Sequence, residues 1–250
     1  MLWNVLRGER MKLRRSPVWL AFLILPVLPA FMGTFNYLQN IEILEDGWYS
    51  LWTQHTLFTC YFFLPATIAV YCSYLFRLEH TNHNWNRVMT LPVPELHLYL
   101  AKLITASAMV VLTQIWVGIL FILSGKLSGL SGPVPPELFE WLLFGTMGGV
   151  VICSVQLLLS LIIRSFAVPV GIAMAGGILG IAALSKGLGA FYPYTLLSLG
   201  MRANSPGGPM ACSKEQFLAG CLFYLAASTA AAFIWLRKKD VVSVRKELIV

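Results

Sequence analysis

Six apolar stretches organise this chain, at 18–37, 51–76, 98–123, 138–163, 168–184 and 217–236. Each has the roughly 17 residues or more that a helix needs to cross a bilayer. Inside hydrocarbon the backbone N–H and C=O groups must pair within the protein, so segments of this length read as helices. The rest of the composition agrees. Of the 250 residues, 58% are hydrophobic and 12% charged, about half the charge of an ordinary soluble domain. Neither a soluble globular domain nor a disordered chain fits these values. The expected fold is all-α, a polytopic membrane protein with six transmembrane helices.

The first sixteen residues carry Arg7, Arg10, Lys12, Arg14 and Arg15, with Trp3, Leu6 and Leu13 near helical spacing. This predicts an N-terminal amphipathic helix on an anionic membrane surface, over 1–16. The apolar run that follows is too long for a signal-peptide core and no A-x-A site closes it, so it is expected to be retained as the first span. Pro26 and Pro29 lie inside that span and should kink or break it.

Basic residues set the expected orientation. With the N-terminus inside, the inner segments hold Arg7, Arg10, Lys12, Arg14, Arg15, Arg77, Arg87, Lys102, Arg164, Arg237, Lys238, Lys239, Arg245 and Lys246. The outer segments hold only Lys126, Lys186, Arg202 and Lys214. Both termini are then cytoplasmic, as an even number of spans requires. In a membrane protein this also accounts for the net charge of +7, and no basic stripe interleaved with aromatics points to nucleic acid.

Metal and catalytic motifs are weak. Glu79, His80 and His83 form E-H-x-x-H, not the H-E-x-x-H of zinc peptidases. No metal is expected. The five cysteines include no CxxC pair, and only Cys212 falls in a long loop. Neither a phosphate-binding G-x-x-x-x-G-K-[ST] nor a G-x-S-x-G elbow occurs. Lys102 is the one charge between Leu98 and Leu123 and is expected to snorkel to the cytoplasmic surface. So few ionisable residues in the spans argue against proton coupling. They favour ATP on a separate chain, for which the six spans leave no room here.

Three segments stand out as functional candidates. Residues 78–90 read as a short amphipathic helix between spans two and three, with Leu78, Trp85 and Met89 on one stripe and Glu79, His83, Asn86 and Arg87 on other faces. It either transmits a push from a soluble partner or rests on the membrane. The first outer loop holds Glu42, Glu45 and Asp46 with Trp48, Tyr49 and Trp52, and no Lys or Arg. It reads as an aromatic belt or as a contact site for a cationic amphiphile. The segment 185–216 holds Tyr192, Pro193 and Tyr194 and either dips into the outer leaflet or forms a surface loop. Gly145/Gly149 and Gly176/Gly180 form GxxxG spacings, suited to internal helix packing or to a subunit interface.

Several fragments together resemble the type-2 permeases of ABC exporters, and more narrowly the lantibiotic-immunity permeases of the MutE/EpiE (LanE) and MutG (LanG) kind. They are Gly8-Glu-Arg-Met-Lys-Leu-Arg-Arg-Ser, Glu79 with Asn84-Trp85, Leu91-Pro92-Val93, and Tyr99-Leu-Ala-Lys102. The resemblance spans the whole chain as a single permease domain, 1–250. It implies a partner ATP-binding subunit (LanF-like) carrying ATP and Mg, a sister permease (LanG-like), and a lantibiotic peptide cargo expelled across a bacterial plasma membrane. It implies no catalytic residue and no cofactor in this chain. It makes residues 78–90 a cytoplasmic coupling helix, with Glu79, His83, Trp85, Arg87 and Met89 as its ATPase-coupling residues. It also places re-entrant helices between spans five and six, around Tyr192 and Tyr194. The substrate-contact candidates are Glu42, Glu45, Asp46, Trp48, Trp52, Tyr192 and Tyr194. The same machine with another cargo (a bacitracin-like peptide, a lipid or a drug) and a non-transporting membrane scaffold or sensor are the alternatives.

Overall fold

A computed structural model describes residues 1–81, Trp85 and 93–238. Among these residues every regular element is helical. Helix α1 (Leu2–Leu13) is followed by a broken first span, α2 (Val18–Ile24) and α3 (Val27–Gln39). The second span comprises α4 (Trp48–Phe58), a π-helical turn (Thr59–Phe63) and α5 (Leu64–His80). Then come α6 (Glu95–Leu127), α7 (Leu138–Ile162) and α8 (Ala167–Ser185). A 3₁₀ turn (Gly189–Phe191) and the short α9 (Thr195–Gly200) precede α10 (Lys214–Lys238). Six helical segments are long and apolar enough to cross a membrane: Val18–Gln39, Trp48–Arg77, Glu95–Leu127, Leu138–Ile162, Ala167–Ser185 and Lys214–Arg237. The bundle therefore has an α1 end, where the chain enters span one, and an opposite end.

Local chemistry explains the breaks. Arg15 turns the chain with a left-handed φ of 61°, and Ser16 Oγ then accepts the Val18 N–H at 3.1 Å at the start of α2. Pro26 interrupts span one where its missing N–H ends α2, and Pro29 falls in the first turn of α3, where no N–H is needed. The π-turn of span two precedes Pro65, which has no N–H to offer the Tyr61 carbonyl. That carbonyl instead abuts the second helix of a close pair: a Cβ on Gly177 would lie 2.4 Å from Tyr61 O.

The core runs along spans two, three and four, with Trp52, Ile68, Tyr71, Val110, Trp141 and Ile152 nearly or fully buried. Spans one, five and six are mostly exposed, between 22% and 28% buried along their most apolar windows. Their bare Leu, Ile and Phe side chains suit lipid or a second subunit. The glycine pairs lie inside the bundle: Gly145 faces Met201, Gly149 faces Val110, Gly176 faces Tyr194 and Gly180 faces Thr195. Helix backbones meet at Gly148, where a Cβ would lie 2.4 Å from Leu196 O. Helix α9 is seated there against α7, and all six of its residues are buried. The segment after span five is thus folded into the bundle rather than lying over it.

Candidate functional site

The α1 end contains a cluster of four charges drawn from three distant parts of the sequence. Glu9 and Lys12 sit one turn apart on α1, Glu79 lies in the last turn of α5, and Lys102 lies in the second turn of α6. Lys102 Nζ donates to Glu79 Oε1 at 2.8 Å, to Glu9 Oε1 at 3.1 Å and Oε2 at 3.2 Å, and to Leu75 O at 3.2 Å. Lys12 Nζ donates to Glu9 Oε1 at 2.8 Å and to Glu79 Oε1 at 2.5 Å. Glu9, Glu79 and Lys102 are each 3% exposed. Two carboxylates and two ammoniums cancel, so burial strands no net charge. Burial opposes the ionised form of Glu79, but Lys102 and Lys12 outweigh it and hold its pKa below the usual value. Burial likewise opposes the Lys12 ammonium, and the Glu9 and Glu79 carboxylates outweigh it and raise its pKa.

This geometry corrects the snorkelling expectation for Lys102. Its ammonium does not reach solvent; it turns inward, 5.2 Å from the centroid of the Phe76 ring, to the two carboxylates. On α1 the apolar and the buried positions differ. Trp3 is 65% exposed, and the residues that α1 buries are Glu9 and Leu13.

At the next residue along α5, His80 forms a second tie. The Ser160 carbonyl can only accept, so His80 Nε2–H donates to it at 2.9 Å. The Trp85 indole N–H can only donate, so His80 Nδ1 accepts it at 3.1 Å. Both bonds together require neutral imidazole in one tautomer. Burial lowers the His80 pKa, and with the nearby Arg164 and Lys102 charges it outweighs the Ser160 carbonyl bond and Glu79, which act the other way. The Trp85 ring is 2% exposed and stacks on Phe76 at 6.2 Å between centroids. A largely apolar cavity of about 420 Å³ separates these groups from α1 and the end of α10, with Val5, Leu98, Tyr99 and Leu236 in its walls.

Of the five expected coupling residues, Glu79 and Trp85 meet at this site, both turned inward. His83, Arg87 and Met89 lie outside the described residues. The pattern alone did not reveal Glu9, Lys12, His80 and Lys102 as partners. The available signal was the lone charge in an apolar run, since a lysine there calls for a counter-ion.

At the opposite end the remaining candidates separate. Glu42, Glu45 and Asp46 are exposed. Trp52 is fully buried; it donates its Nε1–H to Met201 O at 2.8 Å and stacks on Trp141 at 5.0 Å. Trp48 packs edge-on against Phe121. Tyr194 is buried and accepts the Gln156 amide at 2.7 Å, and the half-buried Tyr192 donates to Gly176 O at 3.1 Å. The aromatic side chains thus hold helices together while the carboxylates face outward.

No curated protein matches the chain significantly. The family described as ABC-2 family transporter protein matches residues 5–180, more than two-thirds of the chain. That stretch includes Glu9, Lys12, Glu79, Trp85 and Lys102, all of which border the cavity at the α1 end. With six membrane-spanning helices and this match, the chain belongs to the ABC-2 transporter family, as a multi-pass membrane permease that works with a separate ATP-binding subunit.

Proposed function

We propose that this chain is the permease subunit of an ATP-driven exporter that removes a lantibiotic or similar cationic antimicrobial peptide from a bacterial plasma membrane, giving self-immunity. In this reading ATP and Mg reside on a LanF-like partner, and a LanG-like sister permease completes the channel. The α1 end faces the cytoplasm, in line with the distribution of Lys and Arg. The α9 segment is the re-entrant element of the outer leaflet.

The observation that carries the coupling role is the charge cluster. Glu79 stands where the loop after span two begins, and it is bonded to α1 through Lys12 and to span three through Lys102. A displacement of that loop by ATP-driven closure of the partner would pull on three helices at once. Trp85, held by His80 and Phe76, anchors the loop to spans two and four. Glu79 and Trp85 therefore act as internal links. The side chains that touch the ATPase lie elsewhere on the loop, with His83, Arg87 and Met89 as the candidates.

The test is ATP hydrolysis by the reconstituted complex with and without a lantibiotic, in wild type and in Glu79→Gln. The expected result is peptide-stimulated hydrolysis in wild type and a complex that still assembles but loses stimulation in E79Q. Stimulation by a lipid or drug but not by peptide would replace the cargo. Failure of any ATPase to assemble with the chain would overturn the reading.

A further inference from the structure

We propose that the end of the bundle opposite α1 carries a binding site for an organic cation, an ammonium or guanidinium group, in an open polar cleft between the start of α4 and the loop after α9. This rests on the reading that the cargo is cationic and assigns the residues that would receive its charge.

The cleft has a volume of about 540 Å³, with Asp46, Tyr49 and Thr53 on one wall and Asn204 and Ser205 on the other. That is ample for a ligand group, since small-molecule sites run from about 300 to 1,000 Å³. Most such sites are apolar, whereas this one is lined mainly by polar residues and suits a charged group. Among the described residues, Asp46 bears its only formal charge, and no lysine or arginine lines it.

Arg202, two residues before the cleft's Asn204, is already engaged, as is Lys214. Arg202 donates to Gly208 O at 2.9 Å and to Glu140 Oε1 at 3.1 Å, and Lys214 pairs with the same carboxylate at 3.1 Å. The first of these bonds also fixes the loop that forms the far wall.

Two of the lining hydroxyls have their protons engaged. Tyr49 donates its O–H to Glu137 Oε2 at 3.1 Å, and Thr53 donates to Ser50 O at 2.7 Å. Both oxygens keep lone pairs and so act as acceptors. A carboxylate and acceptor oxygens match a group that only donates, which is the definition of an alkylammonium or a guanidinium. The exposed Glu42 and Glu45 precede Asp46 on the same loop and add negative potential over the approach.

The test labels a cysteine placed in the cleft. The full chain carrying Ser205→Cys and Cys212→Ser is held in phosphatidylcholine nanodiscs and exposed to an uncharged maleimide. Labelling is followed with rising tetralysine, or with tetraserine at matched ionic strength. Tetralysine is expected to slow labelling and tetraserine to leave it unchanged. Asp46→Asn should raise the half-protecting tetralysine concentration about fivefold, the upper end of what one exposed ion pair contributes. Asp46→Glu, which keeps the charge, should restore it.

Equal protection in D46N and wild type, or protection by tetraserine as well, would overturn the site. That result would leave the exporter reading standing if the reconstituted complex still responds to peptide. Charge-dependent protection in a chain that assembles with no ATPase would keep the cleft and remove the exporter.

Discussion

Lys102 is met inside the bundle by two carboxylates and a carbonyl. Removing that charge alone leaves Glu9 and Glu79 with only Lys12. Breaking a buried pair in this way costs about 3–5 kcal/mol. Lys102→Met should therefore lower the unfolding free energy in mixed detergent by that amount. Replacing all four charges with Leu or Met strands nothing, and such swaps are often neutral or stabilising by about 1–4 kcal/mol. The fourfold variant should melt near wild type yet lose peptide-stimulated hydrolysis. If it melts as low as K102M, the cluster is a stability element in its own right.

The signs of the titrations make a second prediction at the same scale. Glu79 has a depressed pKa, so its contribution is complete above the ordinary carboxylate range and fades as pH falls through the lowered value. Lys12 has a raised pKa, so its contribution is complete below the ordinary lysine range and fades as pH rises through the raised value. Neither titrates near neutrality. His80 bears on the acid side of neutrality: with its pKa lowered from 6.5, the stability it brings is complete above that value and declines as pH falls below it. Protonation turns Nδ1 into a donor and breaks the Trp85 bond, worth about 1 kcal/mol. Between pH 7.5 and 5.5 the wild-type melting temperature should drop about 2–4 °C further than that of His80→Gln, whose amide supplies one donor and one acceptor without titrating. Parallel curves for the two proteins would show that His80 stays neutral throughout that range or that its tie to Trp85 carries no weight. Little of this was legible in the sequence. Glu79 was singled out for its position, but its partners lie 67 residues away on α1 and 23 residues away on α6. A local pattern shows Lys102 only as a charge near a helix end, and snorkelling is the natural reading when no counter-ion is in view.

Among the elements, the helices themselves were the most legible feature. The spans read from hydropathy differ from those in the structure by a few residues, because twenty consecutive apolar residues leave few alternatives. The π-turn and the burial of α9 were not legible. One depends on where a single carbonyl finds space beside Gly177, the other on backbone contact at Gly148. The GxxxG search found Gly145 and Gly149 and passed over Gly148, the one of the three whose Cβ would meet the α9 backbone. A paired substitution tests this assignment. Gly148→Ala puts a Cβ 2.4 Å from Leu196 O and 2.5 Å from Leu197 N, so two helix backbones must separate. Overpacking of this kind costs about 1–3 kcal/mol. Gly171→Ala on α8 meets nothing within 4 Å and should gain about 0.5–1 kcal/mol from helix propensity. Melting temperatures of the two variants should therefore move in opposite directions from wild type. A neutral G148A would mean that α9 is not held against α7.

For the whole molecule the topology places α1, Glu79, Trp85, the turn at 163–166 and the end of α10 at one pole, and Asp46, Asn204 and Cys212 at the other. Six crossings fix which segments share a side but not which side is inside; the proposed orientation rests on the basic residues. The native cysteines provide the test without an introduced label. Cys60, Cys72, Cys153 and Cys221 are buried, and Cys212 is half-exposed in the segment before α10. Burial pushes the Cys212 thiol up, so less of it is thiolate at neutral pH and its labelling will be slow. In intact cells a membrane-impermeant maleimide should nevertheless label the chain at Cys212, faster at pH 8.5 than at 7, and Cys212→Ser should abolish the signal. A cysteine placed at Ser165, exposed in the turn between α7 and α8, should label in that background only after the membrane is opened. The opposite pattern would turn the molecule over, and with it the cytoplasmic place of the charge cluster and the outward face of the cation cleft. Because both functional ends were assigned by one charge asymmetry, one labelling experiment bears on both.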